Sequence, residues 1–486
     1  MELSKIIENV KPKEILNFKD VDIKGISYNS NTINSHEIFV CLKGEHVDGH
    51  DFAQMAFEKG ATALMCERPL NIEIPQLIVN STQESIADLA ACYYHNPSEN
   101  MNLIGVTGTN GKTTVTHLVQ KIIEQTGKKC ALIGTLGYKL SSTSEYLEAK
   151  HTTPQAPELQ ATLDKILKSD ITNTITEVSS HALAQYRVKD CKFKGAVFTN
   201  LTQDHLDFHI TMENYFLAKR KLFEGLGENS FAVINNDDKY AQRLIEAIKP
   251  GVKIYTYGIK NKSDIQALDV KFTASGAKFI CRAQDTELPI ELHLNGMFSV
   301  YNALCAITTC LALGIKLQSS KDALENTKGV AGRFEIVHTN PMVIVDYAHT
   351  PDGLENILRA ARELTPKNGE LLCLFGCGGD RDATKRPKMG KIAQNLSDKI
   401  IVTSDNPRSE DPEQIIADIL SGLKVINPKT VIVEPDRGHA IEILSKMAKE
   451  DDVIIVAGKG HEDYQILNDR TIHFDDREEV KKAFGE

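Results

Sequence analysis

The chain has 486 residues, 41% of them apolar and 25% charged, with a formal net charge of −10. That length outgrows one hydrophobic core, so about two to four domains are expected, and the acid excess argues against a broad nucleic-acid surface. No apolar run approaches a membrane span and the N-terminus lacks the basic-then-apolar form of an export signal, which points to a cytoplasmic protein with no membrane partner.

Up to about Asn100, strand-like runs (Ile38–Leu42, Ala61–Cys66, Gln76–Val79) alternate with helical stretches (Phe52–Glu58, Ser85–Tyr94), the pattern of a small α/β domain. The segment His95-Asn96-Pro97-Ser98 reads as its joint to the next unit. Met101–Thr114, MNLIGVTGTNGKTT, then runs from an apolar strand through a glycine-rich turn into Lys-Thr-Thr. Such a turn aims backbone N–H groups, a helix N-terminus and one ammonium at a nucleotide's phosphates. It is a variant P-loop, because Val106 stands where the usual spacing has Gly. Gly108 and Gly111 would let the backbone close on the phosphates, Lys112 would reach the β/γ oxygens, and Thr113 would offer its hydroxyl to Mg²⁺. The plainer alternative is a strand–turn–helix joint whose glycines only make the turn.

Ile171–Thr176 ends at Glu177, and Gly195–Thr199 ends at Asn200 in NLTQDHLDFH, which brings His205. Ligands of doubly wound sheets bind at the carboxyl ends of strands, so Glu177 and His205 on adjacent strand ends make a candidate second metal site; a capping loop rich in Asp and His fits equally well. Tyr215–Phe223 has helical spacing with Lys219 on or beside its apolar face, where an ammonium must be paired, modified or snorkelling outward. Val270–Cys281 alternates around Ser275-Gly276 like a hairpin, and Tyr301–Leu313 is an apolar helix suited to cover the sheet.

A third block begins near Arg333. Apolar runs at Met342–Val345, Leu371–Phe375, Lys399–Val402 and Val453–Ala457 each give way to a polar loop, the rhythm of a Rossmann-like domain without GxGxxG. Arg333 at the joint would touch a nucleotide only when the domains close, or else serve as an interdomain salt bridge. In Ser404–Pro412, Asp411 and Pro412 form an N-cap and first helical turn. That leaves Asp405–Arg408 as an exposed loop able to hold a zwitterion, or a surface turn with a stray Arg. The ten cysteines lack zinc-type pairing and read as reduced core thiols.

GTNGKTT, HTTP, EVSSHALAQYRV, FTNLTQDHLDFH, YFLAK, GRFE, DYAHTPD, GCGGDRDATKRP, DNPR and AGKGHEDYQ follow one another in the order found in the Mur ligase family, which the chain resembles along essentially its whole length. The resemblance implies three α/β domains: 1–99 holding the UDP group, a P-loop ATPase over 100–331, and an amino-acid-binding Rossmann-like unit over 332–486 that swings closed. It implies an ATP- and Mg²⁺-dependent amide ligase acting on small molecules, monomeric, in peptidoglycan precursor synthesis. By the same resemblance Gly108, Thr109, Asn110, Gly111, Lys112, Thr113 and Thr114 bind ATP, joined by Asn302, Arg333 and Asp346. Thr113, Glu177, His205 and Lys219, the last as a carbamate, serve the metals, with Lys112, Glu177, His205 and Lys219 as the catalytic set. Ser30, Glu45, His46 and Val47 match the uridine and diphosphate positions; Thr152, Thr153, Ser179, Gln185 and Arg187 match those for the muramoyl dipeptide. Arg381, Asp405, Asn406, Pro407, Arg408, Gly458 and Glu462 match the amino-acid site, and DNPR resembles its diaminopimelate form rather than its lysine form. The family commonly has Ser-Arg where this chain has Ser30-Asn31, and Asn where it has Ser299. Three rivals are an L-lysine-adding member, a folylpolyglutamate synthetase, which has related ATPase and C-terminal domains but typically no block like Met1–Asn100, and, from another class, a P-loop nucleotide switch.

Overall fold

The computed structural model describes residues 1–44, 47–147, 151–273 and 276–485. Glu45, His46 and the Ser275 half of the expected hairpin turn lie outside the described residues. Three large sheets follow one another along the chain, and a two-stranded one, Tyr464–Ile466 with Thr471–His473, lies near the C-terminus.

The first has the order Glu14–Leu16, Gln76–Ile78, Ala63–Cys66, Glu37–Val40, Gly25–Ser27, with only the first pair antiparallel. Helix Leu3–Val10 buries Leu3, Ile6 and Val10, spaced to share one face, against this sheet beside helix Thr82–Tyr93. Ala53–Glu58 covers the opposite face.

The second sheet has ten strands. Its P-loop strand Asn102–Thr107 pairs in parallel with Asn173–Glu177 on one side and Phe193–Phe198 on the other. The strands leading to Glu177 and His205 are therefore separated by the P-loop strand, not adjacent as the sequence suggested. Helices Lys112–Gln125 and Met297–Ala312 bury one face, while Ala156–Lys168 and Met212–Glu224 bury the other. Ile265–Thr273 and Gly276–Ala283 pair antiparallel, as the alternation required.

The third sheet runs Glu335–Thr339, Met342–Asp346, Val453–Ala457, Leu371–Phe375, Lys399–Val402, Val431–Val433, antiparallel only at its first pair. Pro351–Leu364, Arg386–Leu396 and Pro412–Leu420 cover one face; Arg437–Met447 and Asp476–Phe484 cover the other. Loops at the carboxyl ends of strands in the second and third sheets line the same cavities. All ten cysteines are free thiols, and nine are buried.

Candidate active site

The P-loop needs its two glycines. Gly108 has φ 150°, and a Cβ there would lie 1.8 Å from the Thr199 hydroxyl; at Gly111, φ 87°, it would lie 2.4 Å from Asn302 Oδ1. Val106 is fully buried in the strand, so the missing glycine falls before the turn, where none is required. Lys112 opens the helix and curls back, its Nζ donating to the carbonyls of Gly108 and Thr109 at 3.0 and 2.9 Å. Those carbonyls hold the ammonium where phosphate oxygens would otherwise meet it, and burial lowers its pKa.

Glu177 is completely buried. Its Oε2 accepts from the hydroxyls of Thr113 and Thr135 at 3.1 and 3.0 Å, and its Oε1 from the Thr135 N–H at 3.0 Å. Arg333 reaches across from the third unit, donating from Nη2 to the Thr113 hydroxyl at 3.1 Å while its guanidinium lies 4.4 Å above the Tyr347 ring. Asp346 accepts the N–H groups of Phe334 and Ala348 at 2.6 and 2.7 Å, and burial raises its pKa. Asn302 lines the cavity beside the P-loop, whereas the Ser299 hydroxyl turns back to the Asn295 carbonyl at 2.7 Å.

Lys219 is 2% exposed, on the buried face of Met212–Glu224. Its Nζ donates to the Gly108 carbonyl at 2.8 Å, the oxygen that Lys112 also uses. Burial, reinforced by the Lys112 charge, holds its pKa well below the usual lysine value. The snorkelling alternative is therefore excluded. His205 has φ 54°, its Nε2 lies 3.2 Å from Asp204 Oδ2, and burial pushes its pKa down to about 3.

Asp204 escaped the sequence reading because its neighbours come from the third unit. Burial opposes its ionisation, yet His205, Lys385 and His349 hold the carboxyl well below the usual range, with Lys385 Nζ at 3.8 Å and His349 Nε2 at 3.7 Å. Among the described residues no three His, Cys, Asp or Glu side chains form a metal cage. The Thr113 hydroxyl and Glu177 carboxylate at the P-loop nevertheless suit Mg²⁺, which takes one or two such ligands when substrate phosphates and water supply the rest.

Thr153, Ser179, Gln185 and Arg187 form one network. Arg187 donates to the Thr153 carbonyl at 2.9 Å and to Gln185 Oε1 at 2.7 Å, and the Ser179 N–H donates to the Thr153 hydroxyl at 3.0 Å. Gln83 of the first unit donates to the Gln185 carbonyl at 2.9 Å. Thr152 lines both cavities; buried Ser30 and exposed Val47 sit in the first unit and line neither.

The nucleotide-side cavity has a volume of 380 Å³, and the second, of 990 Å³, is lined by Arg381, Asp405, Asn406, Arg408, Gly458 and Glu462, without Pro407. Asp405 and Asn406 are only 6% and 3% exposed, so the loop is not the exposed one its composition suggested. A later hairpin, Tyr464–Ile466 with Thr471–His473, covers it: Gln465 donates to the Asp405 carbonyl at 2.7 Å and the Ile466 N–H to Asn406 Oδ1 at 2.9 Å. Arg408 is half-buried and donates to the Gly379 carbonyl at 2.8 Å. Burial raises the pKa of Glu462, whose Oε2 accepts from Asn406 Nδ2 at 2.9 Å. Thr135, Thr152, Asp204, His205, Tyr347 and His349 belong to the walls of both cavities.

A phosphate-binding loop on one sheet, sharing a wall with an ionic pocket on another, is the construction of a P-loop ligase: one substrate is activated at a nucleotide and joined to a second presented from across the cleft. The comparisons narrow that class. "Mur ligase family, catalytic domain" matches residues 22–99, "Mur ligase middle domain" 106–310, and "Mur ligase, glutamate ligase domain" 332–460. The chain belongs to the Mur ligase family. It is 44% identical over 491 residues to the UDP-N-acetylmuramoyl-L-alanyl-D-glutamate–2,6-diaminopimelate ligase of Halalkalibacterium halodurans, covering 100% of this chain and 99% of the relative. A solved structure of a ligase of that same name matches with a TM-score of 0.66 and 33% identity, over 95% of this chain and 94% of that one. The ADP complex of the MurF ligase from Thermotoga maritima shares the fold, with a TM-score of 0.64 at 19% identity over 96% of this chain and 98% of that one.

Proposed function

We propose that this chain is the ATP-dependent ligase that adds meso-diaminopimelate to UDP-N-acetylmuramoyl-L-alanyl-D-glutamate in the cytoplasmic stage of peptidoglycan precursor synthesis. Residues 1–99 hold the UDP end, 100–331 the ATP, and 332–486 the amino acid. One observation carries the reading: the nucleotide-side cavity and the ionic pocket share a wall, so an acid activated in one is within reach of an amine held in the other.

The γ-carboxylate of the D-glutamyl residue, presented past Thr152 and the Thr153–Ser179–Arg187 network, attacks the γ-phosphorus of ATP. ADP departs and an acyl phosphate remains. Lys112 leaves its P-loop carbonyls for the phosphates, and Arg333 adds a second cation from the third unit. Thr113 and Glu177 would hold Mg²⁺, with His205 and a carbamate on Lys219 beside a second ion; the metal supplies charge neutralisation at the phosphates. The neutral amine of diaminopimelate then adds to the acyl carbon, the carbon–oxygen bond to phosphate breaks, and the amine's proton is lost. Packing the third unit on the second keeps water from the acyl phosphate.

Arg408 and Arg381 supply positive charge, and Asp405 with Glu462 negative charge, in the pocket that would receive the far end of the amino acid. Diaminopimelate carries both signs there and lysine only an ammonium, so lysine would leave a half-buried guanidinium without its anion. Phosphate release with purified protein, ATP, Mg²⁺ and the UDP-dipeptide should be strong with meso-diaminopimelate and at least about a hundredfold weaker with L-lysine. Better turnover with lysine overturns the specificity, and equal ADP release without the UDP-dipeptide points instead to a nucleotide switch.

A further inference from the structure

Beneath the second cavity lies an arginine that the mechanism does not use. Arg437 opens helix Arg437–Met447 and is 1% exposed. Its Nε and Nη2 each donate to the carboxylate of Asp476 at 2.7 Å, the fully buried first residue of helix Asp476–Phe484. Nη2 also donates to the Ala457 carbonyl at 3.0 Å, and Nη1 to the Ser404 carbonyl at 3.3 Å. Those carbonyls belong to the residues immediately before Gly458 and Asp405, where the two loops lining the second cavity begin.

The strands that feed these loops, Lys399–Val402 and Val453–Ala457, are not neighbours; Leu371–Phe375 runs between them. No ladder of hydrogen bonds can therefore set the loops' separation directly. Gly376, just past the middle strand, leaves the gap open, since a Cβ there would lie 2.4 Å from the Thr403 carbonyl. Farther along, the loops are tied to each other by Asn406 donating to Glu462 and Lys459 donating to Asn406; at their bases, which the sheet leaves unlinked, one planar guanidinium spans the gap, and the bidentate Asp476 contact fixes its plane.

We propose that Arg437 is a positioning residue for the amino-acid substrate: without touching it, Arg437 sets the spacing between the Asp405–Arg408 and Gly458–Glu462 loops. The inference rests on the assignment of this cavity to the amino acid. A lysine at 437 keeps the charge and can answer Asp476, but has no fork to hold both carbonyls.

Arg437→Lys is expected to raise KM for meso-diaminopimelate about tenfold while KM for ATP and for the UDP-dipeptide stay within about twofold. Asp476→Asn, which keeps the shape and removes the charge that orients the fork, should move the same constant by about threefold. Arg437→Met should exceed both if it folds, and if it does not, the two milder variants decide. An unchanged amino-acid KM in folded Arg437→Lys overturns the proposal, as does a parallel rise in all three constants, which marks general loosening. Wild-type protein that fails to use meso-diaminopimelate overturns the functional reading itself, whereas a working wild type with unshifted variants overturns only the role of Arg437.

Discussion

At the scale of single residues the site is built on protonation states that burial imposes. Lys219 and Lys112 converge on one carbonyl oxygen, an arrangement two ammonium groups would resist, and the depressed pKa of Lys219 supplies the neutral amine that can add to carbon dioxide. Carbamylation would put an anion beside a bound Mg²⁺ at a position where burial disfavours an ammonium. Lys219→Ala should accordingly lose amide formation by on the order of a hundredfold or more, and added acetate should return part of it; a fully active variant removes the role. His117 offers a pH test. Its Nδ1 donates to the Thr113 carbonyl at 2.6 Å, its Nε2 accepts from the Tyr146 hydroxyl, and burial pushes its pKa down to about 4. The unfolded chain takes up this proton near pH 6.5 and the folded one only near 4, so the stabilisation is complete above about pH 6.5 and is lost as pH falls toward 4. Urea unfolding should show the gap between wild type and His117→Gln narrowing over that window, by at most about 3 kcal/mol. A gap independent of pH contradicts the burial argument.

The elements carry strain as well as support. His209 accepts from the Thr211 N–H at 2.7 Å around Ile210, whose φ of 68° and ψ of −46° make the strained form of γ-turn, on a β-branched side chain that is 76% exposed. This turn joins the short helix after His205 to the helix that carries Lys219. Ile210→Gly should relieve it and raise the urea midpoint by the equivalent of about 1 kcal/mol, relief exceeding glycine's entropic cost; a lower midpoint refutes the strain. The sequence showed the elements whose signals are local. Leu371–Phe375, Lys399–Val402 and Val453–Ala457 have the expected bounds, because a buried parallel strand is a near-continuous apolar run. Glu14–Leu16, Gly25–Ser27 and the Tyr464–Ile466 hairpin were not legible, since three residues make no period. For the same reason Asp405–Arg408 read as exposed, its cover being that hairpin, and Asp204 read as loop, its partners His349 and Lys385 being distant in sequence.

Across the whole molecule, the second and third units meet through polar contacts beside the apolar packing of Phe298 on Phe334. Gln203 donates to Asp382 Oδ2 and the Thr384 hydroxyl at 3.2 and 3.0 Å and accepts from Lys388, and Asn110 donates to Asp352 Oδ2 at 2.8 Å. Gln203 precedes Asp204 and His205, which line both cavities, while Asp382–Lys388 follows Arg381, which lines the second, so this latch joins those two loops. Half-exposed hydrogen bonds of this kind contribute about 0.5–1.5 kcal/mol each, enough to bias closure and weak enough to release product. Gln203→Ala should therefore reduce the closed population by roughly tenfold, seen as a larger radius of gyration in ligand-free solution scattering and recovered on adding an ATP analogue with the UDP-dipeptide. Turnover should fall with it, since the acyl phosphate then waits longer for the amine and is open to water. If neither scattering nor turnover moves, the Gln203 contacts do not hold the units together, and closure is left to the Arg333–Thr113, Asn110–Asp352 and Asp204–Lys385 contacts, the Phe298–Phe334 packing and the substrates.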